Sequence, residues 1–368
     1  MMIMNTLLLL LMLLVPSVTY SANVTAVLGG NVVCDPSLIT CGAFPTVVSS
    51  VCTAGCPLMS QPSFTDANRI WGNSTGSQCR TSTNGGSTWA DCLTQPFASV
   101  GRESYAGASD GSVLGTSTVG ANCSIARSTD LGANWGVVYT KVAETCGGAV
   151  FEQTELKCTS NGGCTFAYTA ASTLVIVQSS NNGQSWAETF RLGASTIDVR
   201  SFSLSVAGAA IPAISTPFRG GTAVGTGWTL TSAYPAGANN CNGGFLLGSQ
   251  GWASCWIGPG GLYQIRNADT GALQFTANLA GAVNGAATGG VMYGLGQNLV
   301  YAFAAFVPPA GNAPVGVWLS FDNGATFIAL GQGSALANSM RGGDVWQHPL
   351  NGCLYASVGI NPQLIKVC

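Results

Sequence analysis

One short pattern recurs four times in the 368-residue chain, and its spacing limits the fold more than any other feature of the sequence. The pattern is Ser-x-(Asp/Asn)-x-Gly-x-(Ser/Thr/Asn)-(Trp/Phe), where x is any residue. From Asn84 to Asp130 is 46 residues, and from Asp130 to Asn181 is 51. The last interval, from Asn181 to Asp322, is 141 residues, or three times 47. One repeat unit is therefore about 47 residues long, enough for a small sheet of about four strands.

Each copy of the pattern has the composition of a tight turn between two antiparallel strands. The Asp or Asn side chain can accept hydrogen bonds from backbone amides two residues further along the chain. The Gly supplies the positive φ that a tight hairpin requires, and the aromatic residue begins the return strand. The residues to which we assign this turn role are Ser82, Asn84, Gly86, Trp89, Ser128, Asp130, Gly132, Trp135, Ser179, Asn181, Gly183, Trp186, Ser320, Asp322, Gly324 and Phe327.

The segments between the turns have the character of β-strands, and almost nothing in the chain is helical. Runs such as Thr173–Ser179 and Val300–Phe306 are apolar and β-branched or aromatic, as strands are. No long stretch places apolar residues at the helical period, because Gly and Ser interrupt the chain throughout. Another match to the pattern, Thr159–Phe166, breaks the period, and we predict a hairpin within one repeat unit there. The chain is therefore predicted to be all-β.

The repeat predicts a single β-propeller, in which four-stranded blades surround a central axis. The units that we assign are 62–97, 98–141, 145–193, 197–235, 240–279, 284–332 and 342–368. The last unit holds only three short strand candidates, so a fourth strand from residues 24–60 would have to close the ring. This gives seven blades, with six as the alternative because the terminal unit is short.

The N-terminal end of the sequence indicates export. Leu7–Val15 is an unbroken apolar run followed by Pro16 and small polar residues, as in a signal peptide, although no Lys or Arg precedes it. The run is shorter than the roughly 20 apolar residues of a membrane span, and an uncleaved anchor is the alternative. We predict a signal peptide over residues 1–21, a Cys-rich segment over 22–61 that supplies the closing strand, and the propeller over 62–368.

The 14 cysteines agree with an oxidising compartment outside the cell. They fall into near neighbours, which favours disulfides but leaves the pairing open. The neighbours are Cys34/Cys41, Cys52/Cys56, Cys79/Cys92, Cys123/Cys146, Cys158/Cys164, Cys241/Cys255 and Cys353/Cys368. Zinc is the alternative, but Cys52-x3-Cys56 lacks a matching second pair, so we expect no metal site. Asn23, Asn73 and Asn122 begin Asn-x-Ser/Thr sequons and are predicted glycosylation sites.

The charge composition excludes several classes of protein. Lys and Arg number 12 against 14 Asp and Glu, so the net charge is −2, and charged residues are 7% of the chain. Because there is no basic surplus to neutralise phosphates, nucleic acid is not an expected partner. The single His excludes a His-rich metal site and leaves one candidate base for nucleophilic catalysis. No cofactor is expected.

The four turns resemble those of the Asp-box (BNR-repeat) β-propellers, a family that includes sialidases, other propeller glycoside hydrolases, photosystem assembly factors and sortilin-type receptors. The resemblance spans residues 82–327 by motif and the whole mature chain by period. It implies a propeller whose repeated turns have a structural role at blade-edge hairpins, away from the central ligand face. Asn84 and Asn181 stand where the family has Asp, which fits a hydrogen-bonding role within the turn.

A sialidase-like activity would imply three arginines converging on a carboxylate, a Tyr nucleophile with a Glu partner, and an acidic residue for proton transfer. The family's Phe-Arg-Ile-Pro signature is absent, since Phe190–Leu192 matches it only in part. Other propeller hydrolases use two carboxylates that flank the glycosidic bond. For each Asp the alternative is a role in capping a loop. The hydrolase candidates are Arg69, Asp110, Asp198, Arg200, Arg219 and Asp344.

Aromatic residues offer a contact surface that needs no charge. We expect residues 248–263 to form an exposed loop, with Trp252, Trp256 and Tyr263 as candidate ligand contacts and packing between blades as the alternative. The expected function is secreted, non-catalytic recognition or assembly, through a glycan or an extracellular protein, on a cell, filament or virion surface. A glycoside hydrolase with degenerate motifs is the alternative. Other expected partners are an assembly partner, a second copy of the chain, and a membrane if the N-terminal segment is uncleaved.

Overall fold

The computed structural model of the chain describes residues 48–52, 56–73, 78–97, 104–117, 122–144, 154–170, 173–192, 345–358 and 363–368, and the strands between residues 198 and 335. For the strands between 198 and 335 it describes the backbone and its pairing. The predicted features outside the described residues are the signal peptide, Asn23, Cys34, Cys41, Cys146, Arg219, Asp322, Gly324, Phe327 and Asp344.

The described residues are organised as strands throughout, joined by turns and short loops. In chain order the strands are β1 (Val48–Cys52), β2 (Leu58–Met59), β3 (Ile70–Asn73), β4 (Cys79–Ser82), β5 (Ala90–Asp91), β6 (Tyr105–Gly107), β7 (Val113–Ser117), β8 (Asn122–Ser128), β9 (Gly136–Val142), β10 (Thr154–Cys158), β11 (Cys164–Ala170), β12 (Thr173–Ser179), β13 (Ala187–Leu192), β14 (Asp198–Leu204), β15 (Ala210–Ser215), β16 (Gly221–Val224), β17 (Gly227–Leu230), β18 (Asn240–Leu247), β19 (Gln250–Trp256), β20 (Leu262–Asn267), β21 (Leu273–Asn278), β22 (Ala286–Gly296), β23 (Leu299–Val307), β24 (Pro314–Ser320), β25 (Ile328–Ala335), β26 (Val345–Gln347), β27 (Leu354–Val358) and β28 (Gln363–Val367).

These strands form seven antiparallel sheets of four strands each. Six sheets take four consecutive strands, from β2–β5 to β22–β25, and we number them one to six in chain order. The seventh sheet has the order β1-β28-β27-β26. Each sheet contacts the next one, and β27 of the seventh sheet contacts β2 of the first, so the sheets form a closed ring. The prediction of an all-β propeller with four-stranded blades is confirmed.

The two ends of the chain meet in the seventh sheet. Strand β1 pairs with β28, with Val48 opposite Val367, and it lies within residues 24–60, the segment expected to supply the closing strand. Strand β2 begins at Leu58, before the predicted boundary at residue 62, because Leu58 and Met59 pair with β3. Residues from both sides of that boundary therefore belong to the ring.

Within the described residues, four disulfides join cysteines that are near neighbours in sequence. They are Cys52–Cys56, Cys79–Cys92, Cys158–Cys164 and Cys353–Cys368. Cys123 is also disulfide-bonded, and Cys241 lies directly opposite Cys255 in the pairing of β18 with β19. The bond Cys52–Cys56 spans the connection between β1 of the seventh sheet and β2 of the first, whereas the other three lie within or beside one sheet.

The apolar core lies between the faces of neighbouring sheets. Between the second and third sheets, the fully buried side chains of Leu114 and Ile125 pack in one cluster with Phe166 and Val177. Between the first and second sheets, a similar cluster contains the buried ring of Trp71. Each large apolar side chain that is fully buried stabilises the fold by roughly 1.5–3 kcal/mol. Contacts between sheet faces are therefore a main source of stability for the ring.

Candidate functional site

The alternating direction of the strands divides the connections between two ends of the ring. The connections from first to second strand and from third to fourth strand emerge at one end, which we call the turn end. The described connections at the turn end are the loops 60–69, 108–112, 159–163 and 348–353 and the repeated turns 83–89, 129–135 and 180–186. Connections from second to third strand, and those between consecutive sheets, emerge at the opposite end. The Thr159–Phe166 pattern forms the hairpin between β10 and β11, as predicted.

The three repeated turns share one hydrogen-bond network centred on a buried serine. In the first turn, the Ser82 hydroxyl oxygen accepts from the backbone N–H of Gly86 (2.8 Å) and donates to Asn84 Oδ1 (3.0 Å). Asn84 Oδ1 also accepts from the backbone N–H of Thr88 (2.9 Å). The corresponding serine-to-glycine hydrogen bonds in the second and third turns are 2.9 and 3.0 Å long. All three turn glycines have positive φ.

The partner of the Asp or Asn side chain changes with its chemistry. In the first turn, Asn84 Nδ2 donates to the Thr88 hydroxyl (2.8 Å), and the third turn has the same arrangement with Ser185 as acceptor. In the second turn, Asp130 Oδ2 instead accepts from Asn134 Nδ2 (2.7 Å). Hydrogen bonds from Asn134 and Ser128 lower the pKa of Asp130 to about 2. In each turn, the side chain at the Asp or Asn position therefore pairs with a side chain of complementary hydrogen-bonding character four residues later in the same turn.

The tryptophan of the second turn makes a contact that the other two do not. Trp89 and Trp186 donate from Nε1 to the carbonyl oxygen of the turn glycine three residues earlier, at 2.9 and 3.0 Å. Trp135 Nε1 instead donates to the carbonyl oxygen of Thr94, which follows the last strand of the first sheet (3.1 Å). The backbone N–H of Thr94 donates in turn to the carbonyl of Gly132 (3.2 Å). The second turn thus binds the first sheet to the second.

Two hydrolase candidates, Arg69 and Asp110, lie in loops at the turn end, and each forms an ion pair. Arg69 Nε is 3.4 Å from Asp66 Oδ2, and the guanidinium lies 5.7 Å from the centre of the Trp71 ring. Asp110 Oδ2 accepts from Arg127 at 2.6 Å. Although burial raises the pKa of Asp110, hydrogen bonds from Ser112 and the Arg127 charge hold it below its usual value. The structure shows both candidates bound to neighbouring side chains.

The other two described candidates, Asp198 and Arg200, belong to the fourth sheet. Asp198 is the first residue of β14, the first strand of that sheet, so it lies at the opposite end of the ring. Asp110 follows the first strand of the second sheet and lies at the turn end. The structure therefore does not bring Asp110 and Asp198 together as a pair of carboxylates.

The expectation of an exposed loop over residues 248–263 is wrong for most of that segment. Gln250–Trp256 forms β19, which is paired on both sides, and Tyr263 lies in β20 directly opposite Trp256. Trp252 lies opposite Phe245 of β18. The physical reason is that Trp and Tyr favour the pleated surface of a sheet, and this preference outweighs the local glycines. Ligand binding by the three aromatic residues stays a prediction.

A charged cluster between the second and third sheets has no counterpart among the predicted sites. Arg191 of β13 binds Glu144, which follows β9 (2.8 Å), and makes a bidentate contact with Glu188 (2.6 and 2.9 Å). Lys141 of β9 also binds Glu188 (3.1 Å), and the Tyr168 hydroxyl donates to Glu144 (3.1 Å). Both ion pairs between sheets join residues 47 positions apart, which is one repeat unit. Opposite charges at that spacing are the sequence signal that could have found the cluster.

The cluster has the protonation behaviour of an ion-pair network. Burial, with smaller effects of Tyr139 and Glu144, raises the pKa of Tyr168. Hydrogen bonds from Arg191 lower the pKa of Glu188 to about 2. Arg191 is bound by two carboxylates of the chain itself. The cluster therefore links the second and third sheets through ion pairs.

Among the described residues, two contacts join sheets that are not neighbours in the ring. Gln61 follows β2 and pairs with the backbone of Cys158 in the third sheet, donating from Nε2 and accepting at Oε1, both at 2.6 Å. Lys157 Nζ lies 4.7 Å from the centre of the Trp346 ring, which belongs to the seventh sheet. The first, third and seventh sheets are thus connected through residues in or just after β2, β10 and β26.

The two described sequons differ in exposure. The Asn73 side chain in β3 is buried, with 5% of the residue exposed, so a glycan on its amide would have to displace the surrounding sheet. Asn122 begins β8 and is exposed, and its Oδ1 accepts from the backbone N–H of Ala143 (3.1 Å). The structure thus gives a glycan access to Asn122 but not to Asn73.

The part of the chain that the structure describes contains no group of three or more His, Cys, Asp or Glu side chains that could hold a metal ion. Within the same residues, no helix has the length and apolar character needed to cross a membrane.

Neither a protein-family model nor the sequence of a curated protein matches the chain. Solved structures do resemble it. YCF48 from Cyanidioschyzon merolae has a TM-score of 0.56 and 16% sequence identity, covering 87% of this chain and 98% of that one. YCF48 bound to D1 peptide has a TM-score of 0.56 and 12% identity, with 90% and 99% of the two chains covered. The β-propeller domain of Cps50 (Swd1) from Myceliophteria thermophila has a TM-score of 0.55 and 8% identity, with 88% and 99% covered. At these identities the likeness establishes the fold alone, which is that of a β-propeller.

Proposed function

We propose that this chain is a secreted, non-catalytic propeller of the Asp-box type that binds a protein or a glycan outside the cell. The observation that carries the proposal is that two hydrolase candidates, Arg69 and Asp110, and the charged cluster are held in ion pairs. Arg69, Asp110 and Arg191 each bind a neighbouring side chain of opposite charge. A hydrolase needs carboxylates or arginines that converge on a substrate, whereas recognition through neutral hydrogen bonds and aromatic contacts does not.

The hydrogen-bond network of the three described turns supports assignment to the Asp-box type. The buried serine, the Asp or Asn side chain and the glycine with positive φ have the same relation in each turn. This hydrogen-bond network holds the turn backbone in place, and the polar atoms of each turn bond to one another. If the turns are structural, other loops of the ring have to recognise the ligand.

A protein ligand is supported by the resemblance to a propeller that was solved with a bound peptide. Secretion is supported by the disulfides, since disulfides persist in oxidising compartments and are rare in the cytosol. The low charge of the chain agrees with a ligand that is bound through neutral groups.

The proposal is tested with purified protein that lacks residues 1–21. The protein is incubated with a mixed panel of sialylated and neutral glycans and with extracellular proteins from the source, and both bound ligand and released sugar are measured by mass spectrometry. We expect a retained ligand and no released sugar. Released sugar above that of a heat-denatured control would overturn the proposal in favour of the hydrolase.

Two matched variants identify the end of the ring that binds. Ser87→Arg adds a long charged side chain to an exposed position of the first turn, at the turn end. Val142→Arg does the same at the end of β9, at the opposite end, where Val142 is 73% exposed. If the repeated turns are structural, Val142→Arg should weaken binding more than Ser87→Arg. The reverse result would assign the turns a direct part in recognition.

A further inference from the structure

The interface that closes the ring, between the seventh and first sheets, has features that the proposed function does not use. We call it the closing interface and define it as residues 345–358 and 363–367 on one side and 58–73 on the other. Trp346 and Leu364 of the seventh sheet pack in one cluster with Met59 and Ile70 of the first. Asn351 Nδ2 donates to the backbone carbonyl of Ala67 (2.8 Å), so a polar contact also crosses the closing interface.

His348, the single histidine of the chain, lies in the loop that carries this polar contact. His348 is fully buried, with 0% of its surface exposed. The loop is a tight turn in which the His348 N–H donates to the carbonyl of Cys353 (2.8 Å) and the Gly352 N–H donates to the carbonyl of His348 (2.9 Å). The side chain takes part as well, because Nδ1 accepts from the backbone N–H of Leu350 (3.2 Å). The imidazole is therefore part of the loop that contacts the first sheet.

These contacts determine the protonation state of the His348 imidazole. A nitrogen that accepts a hydrogen bond carries no proton, so Nδ1 of His348 is unprotonated and Nε2 carries the single proton of a neutral imidazole. Nε2 is buried and has no partner at full hydrogen-bond geometry among the described residues, while the backbone of Arg69 and Asp66 partly offsets the effect of burial on the pKa of His348. A second proton would have to bind at Nδ1, where it would remove the acceptor for Leu350.

The charged groups around His348 act in both directions, since Asp66 favours a positive imidazole and Lys366 opposes it. Asp66 and Arg69, from the loop between β2 and β3, form an ion pair with each other (3.4 Å). Lys366 of β28 contributes a positive charge, and Tyr355 of β27 has its ring centre 6.3 Å from that of the imidazole. Burial, together with the smaller repulsion from Lys366, lowers the pKa of His348 against the opposing effects of Asp66 and the two carbonyls.

We propose that the closing interface is an acid-sensitive latch, in which His348 is neutral while the ring is closed and its protonation separates the seventh sheet from the first. Protonation removes the Leu350 hydrogen bond and places a charge among buried side chains. Both changes act on the loop through which Asn351 contacts the first sheet. The ring would then open at this interface before it opens elsewhere.

The direction of the pH dependence follows from linkage. The pKa of His348 in the closed ring lies below the value of about 6.5 of an exposed histidine. The open form therefore binds more protons than the closed form as the pH falls below about 6.5, and closure becomes weaker. Within that window each pH unit favours opening by up to about tenfold. The effect is absent above about pH 7.5, where both forms are neutral.

The interface between the second and third sheets is an internal control. Its charged groups, including Lys141, Glu144, Glu188 and Arg191, contain no histidine, and the carboxyl of Glu188 stays ionised down to a pH of about 2. No described side chain at that interface has an ordinary pKa between about 5 and 7. Acidification to a pH of about 5.5 should therefore leave it closed.

The test combines two measurements on the full mature protein. Because there is one histidine, its imidazole resonances can be followed by NMR without assignment, and we expect a titration midpoint below about 6.5 in the folded protein. Hydrogen exchange, corrected for its intrinsic pH dependence, should show a loss of protection of up to about tenfold in residues 345–358 and 58–73 between pH values of about 6.5 and 5.5. Residues 136–142 and 187–192 should not change.

The variant His348→Asn isolates the imidazole, because Asn Oδ1 can replace Nδ1 as acceptor for the Leu350 N–H but does not titrate. We expect it to abolish the pH dependence of exchange at the closing interface. If it fails to fold, the NMR midpoint and the exchange of the natural protein still decide the question. A midpoint at or above about 6.5, equal exchange at both pH values, or an unchanged pH dependence in His348→Asn would each overturn the proposal.

Discussion

The buried serine of the repeated turns offers a quantitative test of why the repeat is maintained. Ser128→Ala removes the hydroxyl that accepts from the buried Gly132 N–H (2.9 Å), and no water can replace it because Ser128 is 1% exposed. A buried donor left without a partner costs about 1–3 kcal/mol. The unfolding entropy of a propeller of this length, at about 2.1 cal/mol/K per residue, converts this to a fall in Tm of about 1–4 °C.

The matched control is Thr129→Ala, which truncates the next residue of the same turn. Thr129 is exposed, and the serine-centred network of the turn does not use its hydroxyl. A surface change of this kind is expected to alter stability by no more than about 0.5 kcal/mol. Both variants are compared with the natural protein by urea unfolding and by calorimetry, with disulfides intact. If Ser128→Ala and Thr129→Ala have the same stability, the serine does not hold the turn and the reasoning is refuted.

Three further predictions concern the second turn, the charged cluster and glycosylation. Asn134→Asp places a carboxylate against Asp130, so the melting temperature should fall at neutral pH and recover on acidification, as measured by calorimetry across pH. The pKa of Glu188 is lowered from 4.5 to about 2 in the folded protein, so its contribution to stability is present above about pH 4.5 and lost as the pH falls towards 2. Arg191→Gln should therefore flatten the dependence of unfolding free energy on pH in this window. An unchanged pH dependence would contradict the ion pair between Arg191 and Glu188 as its cause. In a glycosylating host, Asn122→Gln should reduce the mass by one glycan, and an unchanged mass would show that this exposed sequon is not used.

The strands could be predicted from the sequence because turn chemistry is local. A serine, an Asp or Asn side chain and a glycine within five residues close the turn by themselves, as in Ser82–Gly86. The strands on either side follow from the turn and from apolar alternation, so the predicted unit 240–279 matches β18–β21. The near-neighbour disulfides are also local, because a hairpin brings Cys158 opposite Cys164.

The candidate site could not be predicted in the same way, because its contacts depend on which faces of different sheets meet. The aromatic segment around Trp252 was expected in a loop, but backbone pairing with both neighbouring strands places it inside a sheet. The ion pair between Lys141 and Glu188 needs two sheets to be in contact, although its 47-residue spacing repeats the period of the chain.

The sequence by itself determined the all-β class, the four-stranded repeat and the turns, since each depends on residues close together in the chain. Only the tertiary structure decided that Arg69 and Asp110 are held in ion pairs, and that Asp198 lies at the other end of the ring from Asp110. It also decided that His348 is buried where the last sheet meets the first. The physical reason is that burial and charge pairing depend on neighbours that are brought together only when the ring closes.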